Sequence, residues 1–363
     1  MVKLCPFIVL NERALFAGAS ESYETVRIHP LVLHCKRAGF GGHALHSGVI
    51  GGLSSKGAAP LGRARSISTE SMMAAVCTNG VDTGFTALGM GKVAILGVFQ
   101  GITELLPISS TAHMRIVPAV LGWPDPGSAF SAAMQMAALF AVVSYFWRDI
   151  TGLVGGSVKA LGARRFDAPE LKLGVGIVVG TLPIVVGGLL LKNVLNACGS
   201  PLRELWVIGL ASIVMALLLA LTEWTSRHRR GFETIGFKDA LLVGIAQAGA
   251  LIPGVSRSGS TLTMALFLGL KRDDAARFSF LLGLPAILGA GLKELVELHH
   301  AGLDAQGWAV LGVGLVTASL SAFVAIWSLM RIMERFSAWP FVYYRLAMGL
   351  ILLAGVWTGL FQG

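Results

Sequence analysis

Charged residues are scarce in this chain. They make up 13% of its 363 residues, whereas 54% are hydrophobic, and the mean hydropathy is +0.71. An average soluble domain carries about a quarter charged residues. The composition therefore excludes an ordinary soluble protein and predicts an integral membrane protein.

Cysteines are equally few, and nothing in their arrangement suggests a metal site. Cys5, Cys35, Cys77 and Cys198 show no CxxC or Cys/His spacing, which argues against a zinc site and a disulfide framework. The net charge of +9 comes from short basic runs between apolar segments, as expected for cytoplasmic loops. Aromatic residues are not interleaved with these runs, so we exclude nucleic acid as a partner.

The first 88 residues lack any apolar segment long enough to span a membrane, and they show no regular periodicity. We predict a disordered N-terminal extension over 1–88, followed by a membrane domain over 89–363. One alternative is an upstream start codon, with Met72, Met73 or Met90 as the working start. A folded accessory domain is the other alternative.

Two pairs of short apolar arms flank polar, proline-containing breaks in the membrane domain. The arms lie at 91–106 and 113–121, and again at 239–252 and 261–270. Each arm is shorter than the roughly 20 residues of a spanning helix. We therefore predict two re-entrant helix hairpins, whose irregular backbone is buried in protein or lines water.

Three longer apolar runs follow each hairpin. They lie at 129–147, 173–192 and 206–222, and at 276–297, 307–330 and 340–360. Because three spans is an odd number, the second half begins on the opposite side of the membrane. The predicted fold is an all-α polytopic membrane protein with an inverted-topology repeat. Repeat 1 covers about 91–222 and repeat 2 about 238–360, each a hairpin plus three transmembrane helices.

The first break carries polar groups that are costly in hydrocarbon, which marks it as a candidate site. These groups belong to Gln100, Glu104, Ser109, Ser110, Thr111 and His113. Ser110 and His113 are three residues apart at a helix start, so we expect a hydroxyl close to an imidazole. Glu104 has two alternative roles: it orients His113, or it holds a divalent cation. Capping hydroxyls and a core histidine are the structural alternatives.

The second break offers glycines, amides and hydroxyls in front of a helix that we expect to begin near Ser260. Its residues of interest are Gly254, Ser256, Arg257, Ser258, Ser260 and Thr261. A helix N-terminus favours an anion, and the planar fork of Arg257 suits a phosphate. Together the two breaks indicate a phosphatase acting on a lipid phosphate, or alternatively a transporter or flippase of a lipid phosphate or anionic solute.

The same residues carry a family resemblance. The segments Gln100-Gly-Ile-Thr-Glu104, Leu106-Pro-Ile-Ser-Ser-Thr-Ala-His113 and Pro253-Gly-Val-Ser-Arg-Ser-Gly-Ser-Thr261 resemble the motifs of the bacitracin-resistance family of undecaprenyl-diphosphate phosphatases. The resemblance covers about 91–360. Gln100 stands at the first acidic position of the motif, which weakens a metal site made of two carboxylates. Ala112 replaces the usual glycine.

The resemblance implies hydrolysis of undecaprenyl diphosphate to undecaprenyl phosphate and phosphate, which recycles the lipid carrier of cell-wall synthesis and confers bacitracin resistance. It implies a bacterial inner-membrane location and help from Mg²⁺ or Ca²⁺, with Glu104 as the candidate metal ligand. Glu104, Ser110, His113 and Arg257 are the implied essential set. The nucleophile stays open between Ser110, His113 and water. Expected partners are the polyprenyl diphosphate substrate and membrane lipids, and a homodimer is left open.

Overall fold

The computed structural model describes residues 24–28, 31–35, 77–78, 81–191, 194 and 200–359. The chain divides into two compact units, Met1–Arg65 and Ser66–Gly363. In the first unit, strand β1 (Glu24–Ile28) pairs antiparallel with β2 (Leu31–Cys35). In the second, β3 (Cys77–Thr78) pairs antiparallel with β4 (Val81–Asp82). Most of the predicted extension over 1–88 lies outside the described residues, and its disorder remains a prediction.

The described part of the membrane domain contains eleven α-helices. They are α1 (Gly89–Leu105), α2 (Ser110–Leu121), α3 (Ser128–Tyr145), α4 (Trp147–Gly162), α5 (Pro169–Leu190), α6 (Leu205–Thr225), α7 (Phe237–Ala248), α8 (Arg257–Phe267), α9 (Arg272–His300), α10 (Ala305–Arg335) and α11 (Trp339–Trp357). Helices satisfy their own backbone hydrogen bonds, as an apolar solvent requires. Seven of the described helical segments are long and apolar enough to cross a membrane. The prediction of an all-α polytopic membrane protein is confirmed.

Three local predictions were wrong. A 3₁₀ turn, Gly84–Leu88, precedes α1, and the combined segment Gly84–Leu105 has 22 residues, which is enough to span. Its Phe85 is fully buried and stacks on Phe130. The basic segment between the predicted spans 129–147 and 173–192, expected to be one of the cytoplasmic loops, is largely helical and forms α4. Finally, α8 begins at Arg257 instead of near Ser260, because Ser256 already caps it.

Glycines allow the first helix of each half to approach a helix of the other half. On α1, a Cβ at Gly97 would lie 2.6 Å from the carbonyl oxygen of Gly314 on α10. On α7, a Cβ at Gly244 would lie 2.6 Å from the Cα atom of Gly180 on α5 and would overlap the carbonyl oxygen of Gly180. Small residues at such crossings are typical of helix packing in membranes. The first helix of each half thus packs against a helix of the other half. This packing is consistent with the predicted repeat, whose inverted orientation remains a prediction.

The largest buried apolar cluster includes residues of both halves. Leu105 and Val142 come from the first half, and Leu262, Phe278 and Ile326 come from the second. The cluster lies beside the two polar breaks, since Leu105 ends α1 and Leu262 follows the start of α8. The breaks are therefore held by packed helices.

Candidate active site

The first break turns the chain sharply between α1 and α2. Leu106 is extended, and Ser109 adopts a positive φ of 72°, a conformation that is uncommon for residues other than glycine. In this position the Ser109 hydroxyl accepts a hydrogen bond from the amide of Ala112, at 3.4 Å. The Ser109 side chain thus caps the N-terminus of α2.

The second break repeats this conformation. Ser256 also has a φ of 72°, and its hydroxyl accepts a hydrogen bond from the amide of Gly259, at 3.1 Å. A spacing of nine residues separates Gln100 from Ser109 and also Gln247 from Ser256. The structure therefore places the two breaks in matching local conformations, with Arg257 in the second where Ser110 stands in the first.

An ion pair joins the breaks. The Nη2 atom of Arg257 lies 2.5 Å from Oε1 of Glu104, and both side chains are largely buried. The Ser258 hydroxyl contacts the carbonyl oxygens of Glu104 and Leu106, at 3.1 Å each. The N-terminus of α8 is thereby fixed against the C-terminal end of α1.

The other carboxylate oxygen of Glu104 accepts two hydrogen bonds. Ser110 Oγ donates to Oε2 at 2.5 Å, and Gln100 Nε2 donates at 3.0 Å. The structure thus brings together Gln100, Glu104, Ser110 and Arg257. It does not pair Ser110 with His113, although the spacing of these two residues suggested such a pair.

His113 is held by other groups. Its Nδ1 lies 2.7 Å from the carbonyl oxygen of Ser109, and its Nε2 lies 2.6 Å from the hydroxyl of Tyr344 on α11. With both ring nitrogens engaged, the imidazole is not oriented by Glu104, which was one of the two predicted roles for that residue. Sequence reasoning missed Tyr344, because a tyrosine in an apolar helix carries no distinctive signal.

Sequence reasoning also missed Arg345, which is 1% exposed. Its guanidinium donates to the carbonyl oxygens of Pro107 (3.0 Å), Gly254 (2.7 Å) and Val255 (3.1 Å). It therefore binds both breaks at once. A signal was present, since Arg345 stands in an apolar run without an acidic neighbour. The same reasoning selected Arg257.

Several predicted binding residues have local partners. The hydroxyls of Ser260 and Thr261 contact the carbonyl oxygen of Arg257, at 3.1 and 2.8 Å, and Thr261 also bonds to Ser279 on α9. Gly254 has a φ of 96°, and a Cβ there would lie 2.7 Å from the carbonyl oxygen of Ile208. These residues shape and support the break.

Two further hydroxyls lie at the caps. Ser109 Oγ is 3.3 Å from Thr111 Oγ1, and Ser256 Oγ is 3.2 Å from Ser258 Oγ. Ser109 and Ser256 are buried, whereas Thr111 and Ser258 are partly exposed. Thr111 and Ser258 therefore remain the more accessible hydroxyls of the two helix starts.

The cavity beside the ion pair is small. It measures about 10 Å³ and is lined in part by Glu104, Arg257, Ser258 and Ser279. That is about the space needed by one water molecule. The cavity therefore has no room for a phosphate group while Glu104 and Arg257 are paired.

Few side chains of the site are suited to binding a cation. Among the described residues, no group of three His, Cys, Asp or Glu side chains could hold a metal ion. Gln100 has a buried Oε1 with no hydrogen-bond partner in the described part of the chain, and its Nε2 must be the atom facing the carboxylate, because a carboxylate only accepts. One carboxylate and one amide oxygen fit a cation such as Mg²⁺ when substrate phosphates supply further ligands.

Fold and site together define a polytopic membrane protein with a buried site between two similar halves. A hydroxyl, a carboxylate and an arginine converge there, as they do in enzymes that transfer or hydrolyse phosphoryl groups. The family model described as "Bacitracin resistance protein BacA" matches residues 93–351. The chain belongs to this family.

Curated relatives agree with the family match. The chain is 66% identical over 260 residues to "Undecaprenyl-diphosphatase 2" of Mesorhizobium japonicum, covering 72% of this chain and 98% of the relative. It is 48% identical over 276 residues to "Undecaprenyl-diphosphatase" of Synechococcus elongatus, covering 76% and 96%. The protein of that name from Gloeobacter violaceus is 48% identical over 273 residues, covering 75% and 94%. The predicted family resemblance is confirmed.

Proposed function

We propose that this protein hydrolyses undecaprenyl diphosphate to undecaprenyl phosphate and inorganic phosphate. The observation that carries the mechanism is the 2.5 Å hydrogen bond from the Ser110 hydroxyl to Glu104. A carboxylate at that distance can take the hydroxyl proton as the oxygen attacks phosphorus. The names of the relatives favour this activity over the transporter alternative.

The substrate diphosphate competes with Glu104 for Arg257. Arg257 and the free amides at the start of α8 bind the diphosphate oxygens, since both are anion-binding groups. Breaking the ion pair frees Oε1 of Glu104 and opens the cavity beside it. The membrane-exposed apolar helices accept the prenyl chain, and the compartment we propose is the bacterial inner membrane.

The chemistry then takes two steps. Ser110 Oγ attacks the terminal phosphorus, its proton passes to Glu104, and undecaprenyl phosphate leaves as the bond to its bridging oxygen breaks. Water next attacks the phosphorus of the phosphoserine, the bond between phosphorus and Ser110 Oγ breaks, Glu104 returns its proton to that oxygen, and inorganic phosphate leaves. We assign His113 to this second step as the base that takes the water proton, because Ser110 has Glu104 as its partner.

A divalent cation fits this scheme as an aid to substrate binding. Glu104 and the unpaired Oε1 of Gln100 would hold Mg²⁺ or Ca²⁺ together with diphosphate oxygens. When bound, the cation neutralises phosphate charge. The residues of the chain still provide the nucleophile and the bases.

The test is phosphate release from undecaprenyl diphosphate by the purified protein in detergent with Mg²⁺ supplied. We expect Ser110→Ala and Glu104→Gln to lose about 10²-fold or more of the wild-type rate. Ser328→Ala serves as a matched control, because that hydroxyl is exposed and bonds within its own helix. His113→Ala should accumulate phosphoserine at Ser110, detectable by mass spectrometry after rapid quenching.

Two results would overturn the proposal. A wild-type protein that binds the lipid diphosphate without releasing phosphate would support the transporter alternative. An active Ser110→Ala variant would exclude Ser110 as nucleophile and leave direct attack by water.

A further inference from the structure

The hydrogen bonds around His113 determine which ring nitrogen carries the proton. The carbonyl oxygen of Ser109 can only accept, so Nδ1 of His113, at 2.7 Å, must be the donor. In the neutral imidazole, Nε2 then has the lone pair. The Tyr344 hydroxyl, 2.6 Å from Nε2, is therefore the donor of the second bond. The role of each ring nitrogen, as donor or acceptor, is thus determined by a different partner.

Tyr344 also aligns the ring of His113. The two rings are nearly parallel, with an interplanar angle of 9° and centroids 5.7 Å apart. The partners lie 231 residues apart in sequence, so this contact requires α11 to pack against the first break. Since a ring bound at only one nitrogen can still turn about that bond, the second contact fixes its plane.

The neighbour of Tyr344 holds it in place. Arg345 bonds to Pro107 in the first break and to Gly254 and Val255 in the second. This buried guanidinium leaves α11 little freedom to turn or slide. The backbone of Tyr344 is therefore held relative to both helix starts that form the site, while its side chain keeps its own torsional freedom.

We propose that Tyr344 is a positioning residue for His113 in the phosphatase reaction. Its hydroxyl maintains the Nδ1–H tautomer and holds the Nε2 lone pair in one direction. In the proposed second step, the attacking water displaces the hydroxyl from Nε2 and finds the acceptor already oriented. The expected effect on the reaction rate rests on the proposed function. The assignment of the tautomer rests on the hydrogen bonds alone.

Adjacent tyrosines provide a matched pair of variants. Tyr344→Phe removes the hydroxyl and keeps the ring, while Tyr343→Phe makes the same change next to it. Tyr343 is 64% exposed, and its ring stacks on Trp339. We expect Tyr344→Phe to lower kcat about 10- to 100-fold with KM within about twofold of wild type. Tyr343→Phe should keep wild-type kinetics.

If Tyr344 acts only through His113, the effects of substituting the two residues on the reaction rate should not add. In a His113→Ala background, adding Tyr344→Phe should change the residual rate by less than about twofold. An equal loss in both backgrounds would overturn the proposal, because Tyr344 would then act on something else. Wild-type kinetics in the Tyr344→Phe single variant would also overturn it.

Nitrogen NMR of ¹⁵N-histidine-labelled protein supplies a readout that is independent of activity. The His113 signals, assigned by their loss in His113→Ala, should show a protonated Nδ1 and an Nε2 that accepts a hydrogen bond. Tyr344→Phe should shift the Nε2 signal toward that of an unbound acceptor, and Tyr343→Phe should leave it unchanged. A wild-type Nε2–H tautomer would overturn the proposal even if the phosphatase is active. An inactive wild type with the expected tautomer would instead refute the proposed function.

Discussion

Glu104 and Arg257 lie 153 residues apart in sequence, and their side chains meet at 2.5 Å. Each comes from a different half of the chain, at the end of α1 and at the start of α8. The site therefore exists only when the two halves are packed together. The same contact places the proposed general base, Glu104, next to Arg257, the proposed phosphate-binding group.

Changing either partner should reduce activity more than stability. We expect Glu104→Gln to lower kcat by about 10²-fold or more, because an amide does not take the Ser110 proton. Arg257→Lys should cost about 10²-fold in kcat/KM, since an ammonium lacks the planar fork that matches phosphate. Steady-state phosphate release measures both effects.

A second arginine–carboxylate pair provides the control. Arg230 binds Asp239 through two hydrogen bonds, of 3.0 and 2.7 Å, outside the candidate site. Arg230→Lys should keep kcat/KM within about twofold of wild type. A comparable loss from Arg230→Lys would show that these arginines act through folding in general.

Arg345 should matter for stability as well as activity. Replacing it with Met leaves at least three carbonyl oxygens of the breaks without their donor, which costs about 3 kcal/mol or more. A melting temperature lower by about 6 °C or more is expected in detergent. Arg331→Met, at an exposed arginine on α10, is the matched control. Equal melting temperatures for the two variants would contradict a linking role for Arg345.

The sequence predicted the outline of this site and missed its internal pairing. Intramembrane polar residues can be recognised from their apolar surroundings, so Glu104, Arg257 and His113 were found. Partner choice depends on side-chain directions at the breaks. The positive φ of Ser109 and the position of α11 decide that Ser110 meets Glu104 and that His113 meets Tyr344. Neither feature follows from sequence spacing.

Helix boundaries show the same limit. The α4 segment was predicted as a loop because short basic runs are expected in cytoplasmic loops, and an acidic residue of this segment, Asp149, pairs with Arg277 of α9. Arg345 could have been predicted by the rule that identified Arg257. Its partners could not, because they are backbone carbonyls whose availability depends on both breaks being formed.

Close packing at Gly101 should be essential for placing Glu104. A Cβ at Gly101 would lie 2.8 Å from the amide nitrogen of Ala322 and would also overlap Ala318 and Ser321 on α10. Gly101→Ala should therefore displace α1, destabilise the fold by about 1–3 kcal/mol and lower kcat. The control is Gly152→Ala on α4, where a Cβ meets nothing within 4 Å. If Gly101→Ala has the same melting temperature and the same kcat as Gly152→Ala, the position of α1 does not depend on this contact.

Gln100 should set the requirement for a divalent cation. Gln100→Glu adds a second carboxylate beside Glu104 and should lower the Mg²⁺ concentration for half-maximal activity about tenfold, whereas Gln100→Leu should raise it about tenfold. Gln247, at the matching position of the second half, is fully buried, and neither polar atom of its side chain has a partner within the ranges that the structure describes. Gln247→Leu should leave the requirement within about twofold. Full activity of the wild type after chelation would refute a cation-dependent reaction.

Stability should fall at mildly acidic pH because of His228, which lies in the loop between α6 and α7. Burial, and next the positive charge of Arg272, hold the pKa of His228 below its ordinary value of 6.5, although Glu223 opposes the shift. The unfolded chain therefore binds more protons than the folded protein as pH falls below about 6.5. The free energy of unfolding must decrease in that range until the folded pKa is passed.

His228→Asn stays uncharged and tolerates the positive φ of 45° at this position. Between about pH 7.5 and 5.5, the wild-type melting temperature should drop by about 2 °C more than that of His228→Asn. Equal drops in the two proteins would mean that other groups account for the acid sensitivity.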